Sequence, residues 1–242
     1  MIIELCGDDE LGYAAGRTRF AGGEGFALDE AYRLAHLPLV APGHPKVIAR
    51  KDGAPYENGR RARVRSLALP VPADLLQAQP AYRELEAELR ASVLAPKIAW
   101  DVARQRRGKL HATLAHLGDA PAPDLGSFGS FTVELRGLFS GTFNLGRLYL
   151  RAYPERRAEG NVFHLLQRRL GRRETDLYLV GLFNLVDDLD PAEAAALAAL
   201  IARWWDRPVL RWQVDALWLL GARDDLVLDG GVEAEIALCR PV

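Results

Sequence analysis

The sequence predicts an α+β protein of two pseudo-symmetric lobes, whose mainly antiparallel sheets face a central cleft with helices on the outside. Strand-like and helix-like segments follow one another in a similar order twice along the chain, first within 64–138 and again within 147–239. The helix after Asp190 also begins with clear signals, because Asp190, Pro191 and Glu193 supply an N-cap, a first-turn proline and a reciprocal carboxylate. With 49% hydrophobic residues in 242, the chain can bury a sizeable core.

The elements are predicted from alternation, helical spacing and turn residues. Strands are expected at 64–69, 110–117, 131–138, 147–153, 177–186, 211–220 and 232–239, after a short N-terminal strand MIIELCG. Helices are expected at 29–39, at 81–91, from Asn161 to Leu170 and after Asp190.

Residues 1–61 form a turn-rich extension that we expect to pack on the main domain, residues 62–242. The extension has many glycines, but neither a GKS/T nor a GxGxxG pattern accompanies them. Phosphate cradles of those two kinds need such patterns, so the glycines predict loops.

Composition limits the ligand and the compartment. The net charge is −1, so an anionic ligand must be met by a local cluster rather than by a global field. Cys6 and Cys239 have no metal-ligand spacing, and two isolated cysteines suit a reducing compartment. The chain shows no signal-peptide or membrane-span pattern, so we expect a cytoplasmic protein without a membrane partner.

The stretch KLHATLAHLGD, residues 109–119, carries the first candidate for chemistry. Successive strand side chains point to opposite faces, so His111 and Thr113 are expected on one face, and Leu114 and His116 on the other. A lone histidine on an apolar strand is more often a core residue than a catalyst. Both interpretations of His111 therefore stay open at this point.

Residues 63–242 resemble the 2H phosphoesterase superfamily, which contains 2′-5′ RNA ligase-like proteins and RNA 2′,3′-cyclic phosphodiesterases. The resemblance rests on VRSLALPVPADLL, KLHATLAHLGD, FTVELRG and LYLVGLFNLVDDLDPAEAAALAAL. It implies two HxT/S motifs, one in each lobe, that face each other across the cleft. The first is intact as His111 and Thr113, whereas GLFNL places Leu182 at the second histidine position and Asn184 at the second threonine position.

In the chemistry that the resemblance implies, one histidine is the base and the other the acid, while hydroxyl groups hold the phosphate. His111 would then be the general base, with Thr113 and Asn184 orienting the phosphate. Leu182 cannot transfer a proton, and an asparagine amide can donate a hydrogen bond but does not titrate. Tyr178, which alternation places on the face of Leu182 and Asn184, is a further candidate for substrate binding.

Other side chains compete for the missing acid or for the anion contact. The candidates are Tyr149 and Arg151, which alternation places on one strand face, and three histidines without a spacing argument, His36, His44 and His164. Five basic residues precede His111 and either border an anion site or form a solvated loop: Lys97, Arg104, Arg106, Arg107 and Lys109. Trp100 either stacks on a base or is simply buried.

These observations support two hypotheses. The first is a phosphodiesterase-type hydrolase that acts on a cyclic phosphate or a 2′-5′ phosphodiester of a nucleotide or RNA end, without a metal or other cofactor. The alternative is a catalytically degenerate member of the same fold that binds RNA or nucleotide. A third option, another reaction on the same scaffold, stays open because a fold does not fix a function. The sequence does not indicate an oligomeric state.

Overall fold

The computed structural model describes residues 3–239, which form one eight-stranded sheet and a separate two-stranded ribbon. The strands are β1 (Val64–Pro70), β2 (His111–Gly118), β3 (Phe131–Ser140), β4 (Arg147–Pro154), β5 (Arg156–Arg157), β6 (Gly160–Asn161), β7 (Leu179–Asn184), β8 (Pro208–Val214), β9 (Ala216–Ala222) and β10 (Gly230–Ala237). The ribbon pairs β5 with β6. The sheet has the order β10-β9-β1-β2-β7-β4-β3-β8, and all of its paired strands are antiparallel.

The helices are short except for two. They are α1 (Tyr13–Gly16), α2 (Glu30–Ala35), α3 (Leu37–Val40), α4 (Ala73–Ala78), α5 (Pro80–Ala91), α6 (Trp100–Gln105), α7 (Val162–Arg169) and α8 (Pro191–Trp204). Single 3₁₀ turns lie at Ala95–Lys97 and Arg107–Lys109. No helix among residues 3–239 is both long and apolar enough to cross a membrane.

The sheet curls into a half-barrel with most helices on its outer side, so the predicted α+β class is confirmed. Its two halves, β10-β9-β1-β2 and β7-β4-β3-β8, meet where β2 pairs with β7 at Ala112 and Val180. Helices α7, α6 and α8 pack on β2, β7 and β3 respectively. The main core lies between these helices and the sheet, because apolar side chains from both are buried together there.

Three predicted segments differ from the structure. Residues 211–220 belong to two strands, β8 and β9, which are separated only by Asp215 and pair in opposite halves of the sheet. Residues 29–39 form two helices, because Pro38 lies in the first turn of α3 rather than ending one long helix. Of the N-terminal strand MIIELCG, the first two residues lie outside the described part, and Leu5 forms an isolated bridge with Glu155.

The predicted helix caps are present. Asp190 and Glu193 form a reciprocal capping box at the start of α8, with Pro191 at its first position. Asn161 Oδ1 accepts a hydrogen bond from the Phe163 amide at 2.8 Å and so caps α7. These local signals place the outer helices at the positions that the sequence predicts.

The N-terminal segment, residues 3–61, covers the inner face of the β7-β4-β3-β8 half. Tyr13, which is fully buried, donates from its hydroxyl to the carbonyl oxygens of Ala152 and Tyr178 at 2.6 and 3.1 Å. Tyr32, also fully buried, donates to the carbonyl of Leu185 at 2.6 Å. Because these hydrogen bonds reach β4 and both ends of β7, the segment is part of the packed structure and leaves only part of the inner face open.

Two strands near the centre of the sheet carry β-bulges. In β2, Ala115 pairs with Leu67 and Thr113 pairs with Ala68, so Leu114 is an extra residue. In β7, Phe183 pairs with Leu148 and Gly181 pairs with Tyr149, so Leu182 is the extra one. An extra residue shifts which later side chains point to a given face, and this changes the site.

Gly137 provides a test of the fold. Its φ is +33°, and a Cβ at this position would overlap the carbonyl oxygen of Trp204 at the end of α8. We expect Gly137→Ala to lower the free energy of unfolding by about 2–4 kcal/mol, since backbone must move. Gly22→Ala is the control, because no heavy atom of residues 3–239 lies within 4 Å of a Cβ added there. Equal denaturant midpoints for the two variants would contradict this packing.

Candidate functional site

A cavity of about 1080 Å³ lies on the inner face of the sheet, beside the N-terminal segment. Strands β1, β2, β4, β7 and β9 all contribute to its wall. The polar and charged residues that line it are Tyr56, Arg61, Ser66, His111, Thr113, His116, Asn144, Arg147, Tyr149, Gln167, Arg172, Arg173, Glu174, Thr175, Asp176, Asp224 and Asp225. A cavity of this size can hold a nucleotide-sized ligand.

His111 is the first residue of β2, and a hydrogen bond holds one of its two ring nitrogens. Its Nδ1 lies 2.7 Å from the carbonyl oxygen of Lys109, which can only accept, so Nδ1 carries the proton. The other nitrogen, Nε2, is then an unprotonated acceptor. Thr113 lies two residues further along the same face and lines the same cavity. The strand therefore presents a potential base and a hydroxyl together.

The pKa of His111 is lowered to about 4, mainly by burial. The hydrogen bond to the Lys109 carbonyl acts in the opposite direction, and the positive charges of Arg106 and Arg147 add to the lowering. The imidazole is therefore neutral at physiological pH. A neutral ring with a fixed tautomer can accept a proton but has none to donate from Nε2.

Arg147 occupies the position that faces His111 from the second half of the sheet. Since Ala112 pairs with Val180, the antiparallel register puts Gly181 opposite His111 and Leu179 opposite Thr113. A Cβ at Gly181 would overlap the guanidinium of Arg147, which thus lies directly over this glycine. Because glycine has no side chain at position 181, the guanidinium of Arg147 can lie there.

The charge of Arg147 is not cancelled by a carboxylate within residues 3–239. Its Nη1 donates to the carbonyl of Asp225 at 3.2 Å and lies 3.3 Å from Nε2 of His36. Its Nε is buried without a hydrogen-bond partner in the described chain. A buried, unsatisfied donor on a cation is costly, so this group is suited to an anionic ligand in the cavity.

A second cationic group stands on the wall formed by the N-terminal segment. Arg61 Nη2 and the Tyr56 hydroxyl both donate to the carboxylate of Asp225, each at 2.7 Å. The Nε of Arg61 is buried and has no partner among the described residues. Arg61 and Arg147 thus hold the side chain and the backbone of the same residue, Asp225.

His116 also lines this cavity, and the predicted face for it is wrong. The bulge at Leu114 moves His116 to the face of His111 and Thr113. Ser66 Oγ lies 3.1 Å from its Nδ1. Burial, together with the charge of Arg61, lowers the pKa of His116. Their partners on β1, Pro70 and Ser66, are four residues apart. At about 3.3 Å per strand residue, His116 lies roughly 13 Å along the sheet from His111, so the two do not meet at one atom.

Asn184 does not face an open cleft, which corrects the predicted second motif. The register places it on the inner face opposite Arg147, but the N-terminal segment covers it and it is only 2% exposed. Leu182 is the bulge residue and packs in the main core. The positions that actually face Thr113 and His111 are Leu179 and Gly181.

Tyr178 and Arg151 are also removed from the cavity. Tyr178 is fully buried, lies edge-on to Phe163 and donates to Gln167 Oε1 at 3.2 Å. Arg151 is fully buried as well, with its guanidinium over the ring of Trp205 at 3.7 Å and beside Asp8 of the N-terminal segment. Both serve packing, which corrects their predicted role in substrate binding.

The five basic residues before His111 do not form an anion site. Lys97 pairs with Asp187 at 3.2 Å, Arg104 pairs with Asp101, and Arg107 lies 3.8 Å from Glu86. Trp100, in the same stretch, donates to the carbonyl of Ala95 and lies under Arg90, so it has no free face aimed at the cavity. These basic residues, which lie close together in the sequence, therefore have separate partners in the structure.

Arg106 and Lys109, the other two of the five, support the cavity from behind. Arg106 is buried and donates to the carbonyls of Leu226 and Gly181 at 2.8 and 3.0 Å. The ammonium of Lys109 donates to the carbonyls of Val227 and Gly230, each at 2.9 Å. They fix the loop before β10, where Val227 lines the cavity with a strained φ of +57°.

Several cavity residues were not predicted as ligand contacts: Tyr56, Arg61, Ser66, Arg147, Arg172 and Arg173. Arg147 begins a strand and has no basic neighbour in sequence, whereas Arg61 lies in a basic run with Arg60, Arg63 and Arg65 that was a usable signal. The adjacent pair Arg172 and Arg173 was a usable signal, because two exposed cations lie just after the glycine that follows α7.

Comparison with known proteins gives a distant likeness only. No protein-family model matches the chain, and no curated protein matches it. The crystal structure of TT0787 of Thermus thermophilus is similar over 74% of this chain and 100% of that chain, at 16% identity and a TM-score of 0.36. Among residues 3–239, no group of three or more His, Cys, Asp and Glu is arranged to hold a metal ion.

Gly181 offers a test of the arrangement around His111. Gly181→Ala should displace the flexible guanidinium of Arg147 and weaken binding of inorganic phosphate about tenfold, which is the worth of one charge-assisted hydrogen bond. Calorimetric titration measures this, and the melting temperature checks the fold. Gly43→Ala, with open space around its added Cβ, is the control. Unchanged phosphate affinity in Gly181→Ala would show that Arg147 does not contact the anion.

Proposed function

We propose that this protein binds the phosphate of a nucleotide or RNA end and hydrolyses a cyclic phosphate or 2′-5′ phosphodiester there, with His111 as the general base. The observation that carries the proposal is the neutral Nε2 of His111 beside a cavity that also holds Arg147, a cation without a carboxylate partner in the described chain. The resemblance of residues 63–242 to 2H phosphoesterases adds the substrate class.

The proposed reaction needs one proton acceptor and one cation at the phosphate. His111 Nε2 takes a proton from water as the water oxygen attacks phosphorus. The guanidinium of Arg147 stabilises the charge that develops on the phosphoryl oxygens, and the Thr113 hydroxyl donates to one of them. The bond to the leaving oxygen then breaks, that oxygen takes its proton from solvent, and the His111 imidazolium releases its proton to solvent, which restores the neutral base.

A second candidate function is binding without turnover. It is favoured by the two positions that face His111 and Thr113, since Gly181 and Leu179 offer no group that titrates. A general acid typically contributes about a hundred- to ten-thousand-fold in rate. In this alternative the cavity keeps its phosphate contacts and the same nucleotides bind, but no product forms.

The pH dependence of hydrolysis tests the role of His111. We expect kcat/KM for a 2′,3′-cyclic nucleotide to rise as pH increases through about 4, since the neutral imidazole is the active form. It should then stay flat through neutral pH, because no second histidine has to remain protonated. His111→Ala should lower the rate at least about a hundredfold. His44→Gln is the control, since His44 pairs with Asp187.

The outcomes separate the two functions. A midpoint near the ordinary histidine pKa of 6.5, or a fall in rate above about pH 7, would contradict His111 as the single proton-transfer group. Binding of the cyclic nucleotide without any product would support the second function instead.

Replacing Arg147 tests the anion contact. Arg147→Gln should weaken binding of a cyclic nucleotide about tenfold or more at low salt. It should also reduce the slope of log affinity against log salt by about 0.7–1, the contribution of one phosphate contact. Arg83→Gln removes the same charge from the exposed side of α5 and should change neither quantity. An equal loss in both variants would mean that only net charge matters.

A further inference from the structure

We propose that His36, on the N-terminal segment, is a positioning residue that holds Arg147 in place while leaving its positive charge available to the substrate. This inference rests on the proposed function, because it takes Arg147 as the phosphate contact. It assigns the N-terminal segment a direct part in the site.

The first observation is the placement of His36. It follows α2, is 0% exposed, and its Nε2 lies 3.3 Å from Nη1 of Arg147. An arginine nitrogen can only donate, so His36 Nε2 accepts and the ring is neutral. Burial and the charges of three arginines, Arg147, Arg106 and Arg61, hold the pKa of His36 well below its usual range. The ring therefore remains an acceptor across physiological pH.

The second observation is that the orientation of the imidazole is fixed. The ring of Tyr32 stacks on it with an interplanar angle of 2° and a centroid distance of 5.1 Å. Tyr32 is itself held at both ends, since Asp29 accepts from its amide at 2.7 Å and its hydroxyl donates to Leu185 at 2.6 Å. Gly146 makes room for it, because a Cβ there would lie 2.8 Å from the Tyr32 ring.

The third observation concerns charge. A carboxylate at position 36 would also accept from Arg147, but its negative charge would cancel the charge that an anionic substrate needs. A neutral imidazole fixes the guanidinium and leaves the full charge. Arg61 lines the same cavity but differs from Arg147, because it is paired with the carboxylate of Asp225 at 2.7 Å. His36 therefore positions Arg147 without adding a negative charge. A salt bridge would also position Arg147, but it would reduce its affinity for an anion.

Three substitutions at this position separate acceptor capacity from charge. His36→Gln keeps a neutral acceptor and should retain phosphate affinity within about threefold. His36→Phe keeps the stacking on Tyr32 but removes the acceptor, and should weaken phosphate binding about tenfold. His36→Glu keeps an acceptor but adds a negative charge, and should weaken binding more than His36→Phe does. Calorimetry with inorganic phosphate measures the affinity of each folded variant, and the melting temperature of each is recorded.

A double-mutant cycle completes the test. In an Arg147→Gln background, His36→Phe should cause little further loss, because its effect acts through Arg147. His44→Gln, elsewhere on the N-terminal segment, should leave phosphate affinity unchanged. With active protein, the loss in His36→Phe should appear in both KM and kcat, because Arg147 binds the phosphate and stabilises the charge that develops on it.

The failures are distinguishable. If Arg147→Gln weakens phosphate binding but His36→Phe and His36→Glu do not, the positioning role is wrong and the proposed function stands. Additive losses in the double variant would also overturn the positioning role. If neither inorganic phosphate nor a cyclic nucleotide binds the wild-type protein, both the proposed function and this inference are wrong.

Discussion

The pairing of β2 with β7 determines which groups meet in the cavity. The two halves of the sheet meet there through the single register pair Ala112 and Val180. That register sets His111 opposite Gly181 and thereby opens the space that Arg147 fills. Arg106 strengthens the same junction, since it bonds to Gly181 on β7 and to Leu226 in the loop before β10. A shift of one residue would turn His111 away from the cavity.

Two arginines on the inner face depend on the N-terminal segment for their contacts. Asp8 lies against Arg151, and Tyr13 lies under the same guanidinium. Nearer the cavity, His36 takes the place that a carboxylate would have beside Arg147. The N-terminal segment therefore places a carboxylate beside Arg151, which serves packing. It places a neutral imidazole beside Arg147, which lines the cavity. This difference supports the proposal that the uncovered part of the inner face binds an anionic ligand.

The sequence predicts most elements of the fold because helix caps and hydrophobic spacing are local. The site depended on features that are not local. Period-two alternation failed for His116 and for Leu182, since an extra residue in β2 and in β7 changes which side chains share a face. Asn184 does lie on the predicted face, but the N-terminal segment covers it. Likewise, three of the five basic residues near His111 in sequence pair with acidic residues away from the cavity. His111 and Thr113 were placed together because no bulge separates them.

Keeping two arginine charges close together beside the cavity has an energetic cost. A partly buried guanidinium without a carboxylate partner is unfavourable, since burial disfavours the charged form. Arg147 and Arg106 lie near each other, and each positive charge makes the other more costly. Backbone carbonyls of Gly181, Asp225 and Leu226 offset part of this cost without adding a formal negative charge. A bound phosphate would supply the missing charge, so anion binding should also stabilise the fold by mass action.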